Sequence, residues 1–298
     1  MNMSKLCLIV YLTVFFTTAL IIASPTADLL QEVEDGGVID WGRMVIRCTG
    51  TGSMSEQDSV AAAKRDEVLA SAKQDAQEKI MTTLAAMVIT SNETVSDLLK
   101  DDPALEQRIR SLVTNFREKG LHYMTDGSVE IEVELPVRGE LVDLLLPPSG
   151  NGHRVADGLL CPICGQPWPE DVDIPEDLIL KRPQETPSEP YSGLVVDARE
   201  TNLKPALAPV LVNESGKAIY GVAYARRPRA LIAGLVSYEQ DVNLAAKMNR
   251  VAPRALLIEA RSAKGAKVVI ENEDASLLHC FPKHMQFLSE CRVIIVVN

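Results

Sequence analysis

The sequence predicts an α+β protein: two small α/β domains, the first running strand-helix-helix-strand-strand, joined by a proline-rich connector. Three observations lead there. Past an apolar leader the chain keeps about 270 residues, which suits two domains of ordinary size. Nine of the 17 prolines fall between Pro147 and Pro190, where fixed φ angles and missing N–H groups oppose a packed helix or sheet. On both sides of that zone, segments of helical period mix with short alternating strands. The division that follows is a leader over 1–27, a first domain over 38–146, a connector over 147–190 and a second domain over 191–298.

The leader is Lys5 followed by eighteen residues without a charge, Leu6 to Ala23. A charged start before an apolar run is the pattern of export, and the run just reaches the length of a membrane-spanning helix. Ala23, Ser24 and Ala27 suit a signal peptidase, while Pro25 among them opposes it, so 1–27 is read as a signal peptide or an uncleaved anchor. Cys7 stands too early in the run to be a lipobox cysteine. The expected location is periplasmic or otherwise extracytoplasmic, with membrane contact only through this segment if it is retained.

Composition narrows the partners. A net charge of -11 and a pI near 5.0 argue against nucleic acid, whose binding rests on basic clusters. The one basic cluster, "ARRPRA" at Ala225 to Ala230, is read as a solvated loop rather than an anion site. Aromatic residues are only 4%, so Val, Leu, Ile and Ala must fill the cores.

In the first domain, "GRMVIRCTGTG" reads as a strand with Met44, Ile46 and Cys48 on one face, ended by Gly50 and Gly52. A long helix follows, capped by Ser55. Its apolar stripe is Leu69, Ala72, Ala76, Ile80, Leu84 and Met87, set against Lys64, Asp66, Lys73, Asp75 and Lys79 on a charged face. A second helix is expected from Thr94 to Lys119, interrupted near Pro103, with Leu105, Ile109, Leu112, Val113 and Phe116 inward. "HYMTDGSVEIEVELPV" reads as a hairpin turning at Asp126-Gly127, with Val129, Ile131, Val133 and Leu135 alternating with acids. "RGELVDLLL" closes the domain as a short helix.

The "GTG" strand end, the helix "AAAKRDEVLASAKQDAQEKI" and the hairpin "TDGSVEIEVELPVRGEL" together resemble the small-lipoprotein and flagellar assembly protein T superfamily of bacterial envelope proteins, over Asp40 to Leu146. The resemblance implies a lipoprotein-like envelope module engaged in interaction or assembly, linked to the flagellum or the outer membrane, and no reaction. The lipobox cysteine of the lipoprotein branch is absent here.

In the second domain, Leu194 to Ala198 reads as a buried strand and "VLVNESGKAIYG" as a hairpin around Ser215-Gly216. "VSYEQDVNLAAKMNRV" is expected to be helical. "RALLIEARSA", "AKVVIENE" and "CRVIIVVN" supply three more strands, with "DASLLHCFPKHMQFLSE" as a helix before the last. The "GLVVDAR", "PALAP" and "YG" segments and the late "IENEDAS" resemble the C-terminal region that accompanies the first domain in some flagellar-assembly-T-like proteins.

The densest chemistry is "CPICGQPWP", with Cys161 and Cys164. A redox dithiol needs its first cysteine at a helix N-terminus, and Pro167 and Pro169 deny this motif a sustained helix. A zinc knuckle fits the turn, but structural zinc takes four ligands, and the others would have to come from His153, His279, His284, Cys280, Cys291 or a second chain. In an oxidising compartment the economical reading is a disulfide, Cys161 to Cys164, stiffening the connector. No cofactor is then expected, zinc being the alternative. Cys280 and Cys291 either bridge or stay reduced core thiols like Cys48, and the sequence leaves both readings standing.

The remaining candidates are weaker. His279, Cys280 and His284 cluster without a Gly-framed nucleophile turn or an orienting Asn or Asp, which favours surface histidines and a core thiol over a nucleophile pair. Asp197 and Arg199 end a strand, where an ion pair is favoured over a ligand site. The functional expectation is an exported, non-enzymatic envelope interaction or assembly protein with an envelope protein as partner. The alternative is a periplasmic thiol-disulfide or metal-handling factor using Cys161 and Cys164.

Overall fold

The computed structural model describes residues 29–53, 62–148, 155–160, 167–169 and 190–298. The architecture is α+β, in two regions on either side of the connector. The first region carries β1 (Leu30–Glu32), β2 (Val38–Asp40), β3 (Val45–Gly52), α1 (Ala62–Ala85), β4 (Val88–Thr90), β5 (Glu93–Thr94), α2 (Val95–Asp101), α3 (Pro103–Val113), β6 (Arg117–Tyr123), β7 (Val129–Pro136) and α4 (Glu140–Leu145). Its main sheet is antiparallel throughout, in the order β1-β2-β3-β7-β6. In the connector, β8 (Val155–Leu160) and β9 (Pro167–Pro169) pair antiparallel.

The contact that sets the first region is α1 against β3. Along β7, Val129, Ile131, Val133 and Leu135 face the core, and across from them Gly52, Gly50, Cys48 and Ile46 of β3 point the same way. Glycine at 50 and 52 lets the helix lie on the strand backbone. A Cβ on Gly50 would stand 2.2 Å from the Ala72 carbonyl oxygen and 2.6 Å from the Ala76 Cβ, and one on Gly52 would stand 2.1 Å from the Val68 oxygen. The stripe expected from the sequence is the buried one, with Ala72, Ala76, Ile80, Leu84 and Met87 in the core and Leu69 half-buried against it.

The charged flank of α1 does more than face water. β2 pairs with β3 only as far as Arg47, so among the described residues the open side of Thr49 and Thr51 has no strand neighbour. Helix side chains take that place. The Thr51 N–H donates to the Asp75 carboxylate at 2.7 Å, and Lys79 Nζ donates to the Thr49 carbonyl at 2.9 Å. Lys73 reaches Glu118 on β6 at 2.6 Å.

The expected second helix is two helices and a strand. Thr94 forms a reciprocal capping box with Asp97 at the start of α2, and Asp102 caps α3 with Pro103 at its first position. The helix ends at Val113, and Arg117 to Lys119 belong to β6 instead. The β6–β7 hairpin turns at Asp126-Gly127 as expected, Gly127 taking φ 89°.

The second region carries β10 (Gly193–Asp197), β11 (Val210–Asn213), β12 (Ala218–Tyr220), α5 (Arg227–Ala233), β13 (Ser237–Glu239), α6 (Val242–Lys247), β14 (Ala255–Glu259), β15 (Ser262–Lys264), β16 (Lys267–Ile270), α7 (Asn272–Cys280), α8 (Pro282–Ser289) and β17 (Val293–Val296). One sheet is parallel, in the order β13-β17-β10-β14, and the other runs β12-β11-β16-β15. The segment expected to be one helix over 236–251 opens as β13 and keeps only the six residues of α6 helical. The late helix breaks at Phe281, because Pro282 starts α8 without an N–H to give α7.

The two regions share one apolar core, which holds Ile46, Ile80 and Leu145 together with Leu194, Tyr220 and Ile295. Leu207 and Ala208 donate backbone hydrogen bonds to Val88 and Ile89 at 2.9 and 2.8 Å, and Gly139 donates to Leu231 at 2.8 Å. Trp41 meets Tyr238 edge-on, ring centres 6.0 Å apart.

Gly50→Ala is expected to destabilise the protein by about 1 to 3 kcal/mol, the usual cost of forcing an extra group into a packed contact. Gln74→Ala, on the exposed side of α1, should melt like the native chain. Paired thermal melts check this; equal melts for both variants contradict the α1 packing described.

Candidate interaction surface

β6 is an edge of the first region's sheet, and all its residues except Gly120 are exposed. Its backbone polarity follows from the hairpin. The Met124 N–H donates to the Ser128 carbonyl at 2.9 Å, which fixes that pair as hydrogen-bonded. Alternation along an antiparallel ladder then makes His122 with Glu130, and Gly120 with Glu132, the pairs that bond to β7. The N–H and C=O groups of Leu121 and Tyr123 therefore point away from β7, toward the open side.

The side chains of that stretch are apolar and wet: Leu121 is 38% exposed, Tyr123 59% and Met124 38%. Leu121 and Tyr123 lie opposite Ile131 and Val129, on the face that carries the core. The other face of the hairpin is an acid-base ladder. Glu134, almost wholly buried, takes Arg43 at 3.2 Å and Lys119 at 3.4 Å, and His122 lies 3.7 Å from Glu132. A register shift between Glu118 and Gly120 gives Lys119 to that ladder and leaves 121–123 without a charged guard. At the turn, the Ser128 hydroxyl and N–H both donate to Asp126 and hold its carboxyl below the usual range, so the hairpin tip stays anionic.

Cys161 and Cys164 lie outside the described residues, as do Ser55 and the leader. Cys291 is a free, buried thiol, as is Cys48, so the bridge from Cys280 to Cys291 is not formed. Asp197 and Arg199 close on one another, Arg199 donating from Nε at 2.9 Å and Nη2 at 2.7 Å, and this bond holds the Asp197 carboxyl below its ordinary value. "ARRPRA" is not a free loop. Arg226 and Arg229 both pair with Glu290, and Arg227 clasps Asp143 of α4 at 2.5 Å and the Pro147 carbonyl at 3.1 Å, tying the second region to the first.

Sequence reasoning missed one buried cluster. Arg250 spreads its guanidinium over the carbonyls of Ala233, Gly234 and Leu235 and the Ser237 hydroxyl, and Tyr220 donates to the same Leu235 oxygen at 2.7 Å. Nothing about an isolated arginine in sequence signals that it folds a loop around itself. Among the described residues, no group of three or more His, Cys, Asp or Glu side chains is placed to hold a metal ion, and no helix is long and apolar enough to cross a membrane.

His279 and His284 are core residues, not the surface histidines that the sequence suggests. His279 Nε2 bonds the Ile219 carbonyl at 2.8 Å, and His284 Nδ1 bonds the Leu277 carbonyl at 2.9 Å among the rings of Tyr191, Phe281 and Phe287. Burial pushes both imidazoles below their ordinary value of 6.5. The unfolded chain therefore binds more protons than the folded one at mildly acidic pH, and stability falls as pH drops below about 6.5. The Asp97 carboxylate, bonded by the Thr94 hydroxyl and N–H, and the Asp197 carboxylate, bonded by Arg199, titrate lower when folded, so their contribution is lost only below about pH 4. Denaturant melts should show stability falling as pH drops below about 6.5, ahead of the carboxylate loss near pH 4, and this first loss should disappear in His279→Gln/His284→Gln. A native profile flat from about pH 6.5 down to the carboxylate range contradicts the burial of these rings.

Residues 193–298 match a family model described as the second domain of Treponema pallidum Tp0624. No curated protein matches the chain.

Proposed function

We propose that the chain is an exported interaction or assembly protein of the cell envelope, acting by binding rather than by chemistry. The observation that carries this reading is the β6 edge. A strand with backbone groups open on one side and Leu121, Tyr123 and Met124 in solvent is built for strand addition. The arginines at 226, 227 and 229, the Asp197–Arg199 pair and the two buried histidines are spent on the fold, which supports a binding role for the surface that remains. The uncharged run Leu6 to Ala23 supports export. The resemblance over Asp40 to Leu146 supports a setting at the flagellum or outer membrane, and the match of residues 193–298 to a Treponema domain agrees with a bacterial one.

Two measurements test the reading. Alkaline phosphatase fused after Asn298 should be active; an inactive fusion at normal expression contradicts export. Immobilised full chain should retain an envelope protein, a further copy of itself included. Tyr123→Lys should lower that retention and Cys161→Ser/Cys164→Ser should leave it unchanged. If the double serine variant alone loses its partner, the function belongs to the connector cysteines.

A further inference from the structure

We propose that the β6 edge pairs antiparallel with the β6 edge of a second copy of this chain, about a two-fold axis at Leu121. The inference rests on the interaction reading above and names its partner. Closed homodimers present one patch to its own copy, so the patch must be self-complementary, and this one is. Only Leu121 and Tyr123 turn their backbone groups outward in the unguarded stretch, so a new ladder must set these residues opposite one another. Three registers do so.

Setting Leu121 opposite Tyr123 of the copy places Glu118 against Asp126, like charges facing, and His122 against itself. Setting Tyr123 opposite Tyr123 slides the strands until Lys119 meets Gly127 in the turn, and the start of β6 is left unpaired. Setting Leu121 opposite Leu121 avoids both faults. His122 then faces Gly120, which has no side chain to obstruct it, and Arg117 faces Thr125, next to the anionic Asp126. At the start of β6 Glu118 is paired with Lys73 and Lys119 with Glu134, which leaves Arg117 as the cation that antiparallel pairing brings beside the exposed Asp126 of the copy, twice about the axis. A foreign strand would gain the same backbone bonds; the charge order along β6 favours its own reverse. The product is one ten-stranded sheet made of two five-stranded ones, with Leu121 and Tyr123 of both copies extending the core faces.

The test is a self-cross-link on purified full-length chain in mild detergent, using an oxidant that joins neighbouring thiols. On the two-fold axis, the Cα atoms of residue 121 would stand about 5.5 Å apart, within disulfide reach. Residue 123 would stand about 13 Å from its own copy, out of reach. Leu121→Cys should convert most of the chain to a covalent dimer, while Tyr123→Cys and the native chain stay monomeric on a denaturing gel. Adding Arg117→Asp to Leu121→Cys should lower the dimer yield several-fold by placing two acids together. A monomeric Leu121→Cys chain with a native thermal melt overturns the proposal, as does equal cross-linking at 123. Either failure leaves the phosphatase and retention results standing, so the pairing and the broader reading fail separately.

Discussion

Val88 and Ile89 accept backbone hydrogen bonds from Leu207 and Ala208, and Ser91 links the same short strand to the second region by accepting from the Ala266 N–H and donating to the Lys264 carbonyl. On the far side of the seam, Gly139 donates to Leu231, and Arg227 clasps Asp143 and two carbonyls of the α4 segment. The rest of the structure depends on this joint. Ile89, Trp41 and Leu145 are all but inaccessible, and part of what covers them comes from the second half of the chain. Pulling the halves apart would wet those side chains and strip partners from buried amides, each a cost of a kcal/mol or more. Neither half is a bead on a string.

Away from the joint, β6 is an edge that the sheet itself leaves unfinished. The same hairpin is firmly held from behind. Glu134 gathers Arg43 and Lys119, Glu118 reaches α1 through Lys73, and Asp126 locks the turn. An edge fixed in this way presents its backbone groups without first having to order them, which favours binding by reducing its entropic cost.

Much of this was legible in the sequence wherever a period was strong. The α1 stripe, the alternation of β7, the Asp126-Gly127 turn and the buried run of β10 all declare themselves, because each side chain's burial follows from its position in one element. β6 does not. "REKGLHY" has no apolar alternation, since both its faces are exposed, and so its first three residues read as the tail of a helix. The three-residue strands β1 and β2 are too short to carry a period, and α5 hides in a basic cluster whose arginines are internal struts. The seam is least visible of all. Its bonds run between main-chain atoms, which leave no mark on residue type, while the proline-rich connector between the halves advertises separation. The "GTG" glycines were noticed as a strand end, yet their purpose, admitting Ala72 and Ala76 to the strand backbone, needs the helix in place to be seen.

Through this joint the two halves behave as one body. Residue-resolved amide hydrogen exchange on the native chain tests this directly, because each amide reports the opening that frees it. The N–H groups of Gly139, Leu207, Ala208 and Ala266 lie on the seam, while those of Val137 and Leu194 lie within the two halves, bonded to Met44 and Arg292. The seam amides are expected to exchange as slowly as the interior ones, by the same global opening. Seam amides that exchange far faster while Val137 and Leu194 stay protected would show that the halves separate on their own, and would contradict this.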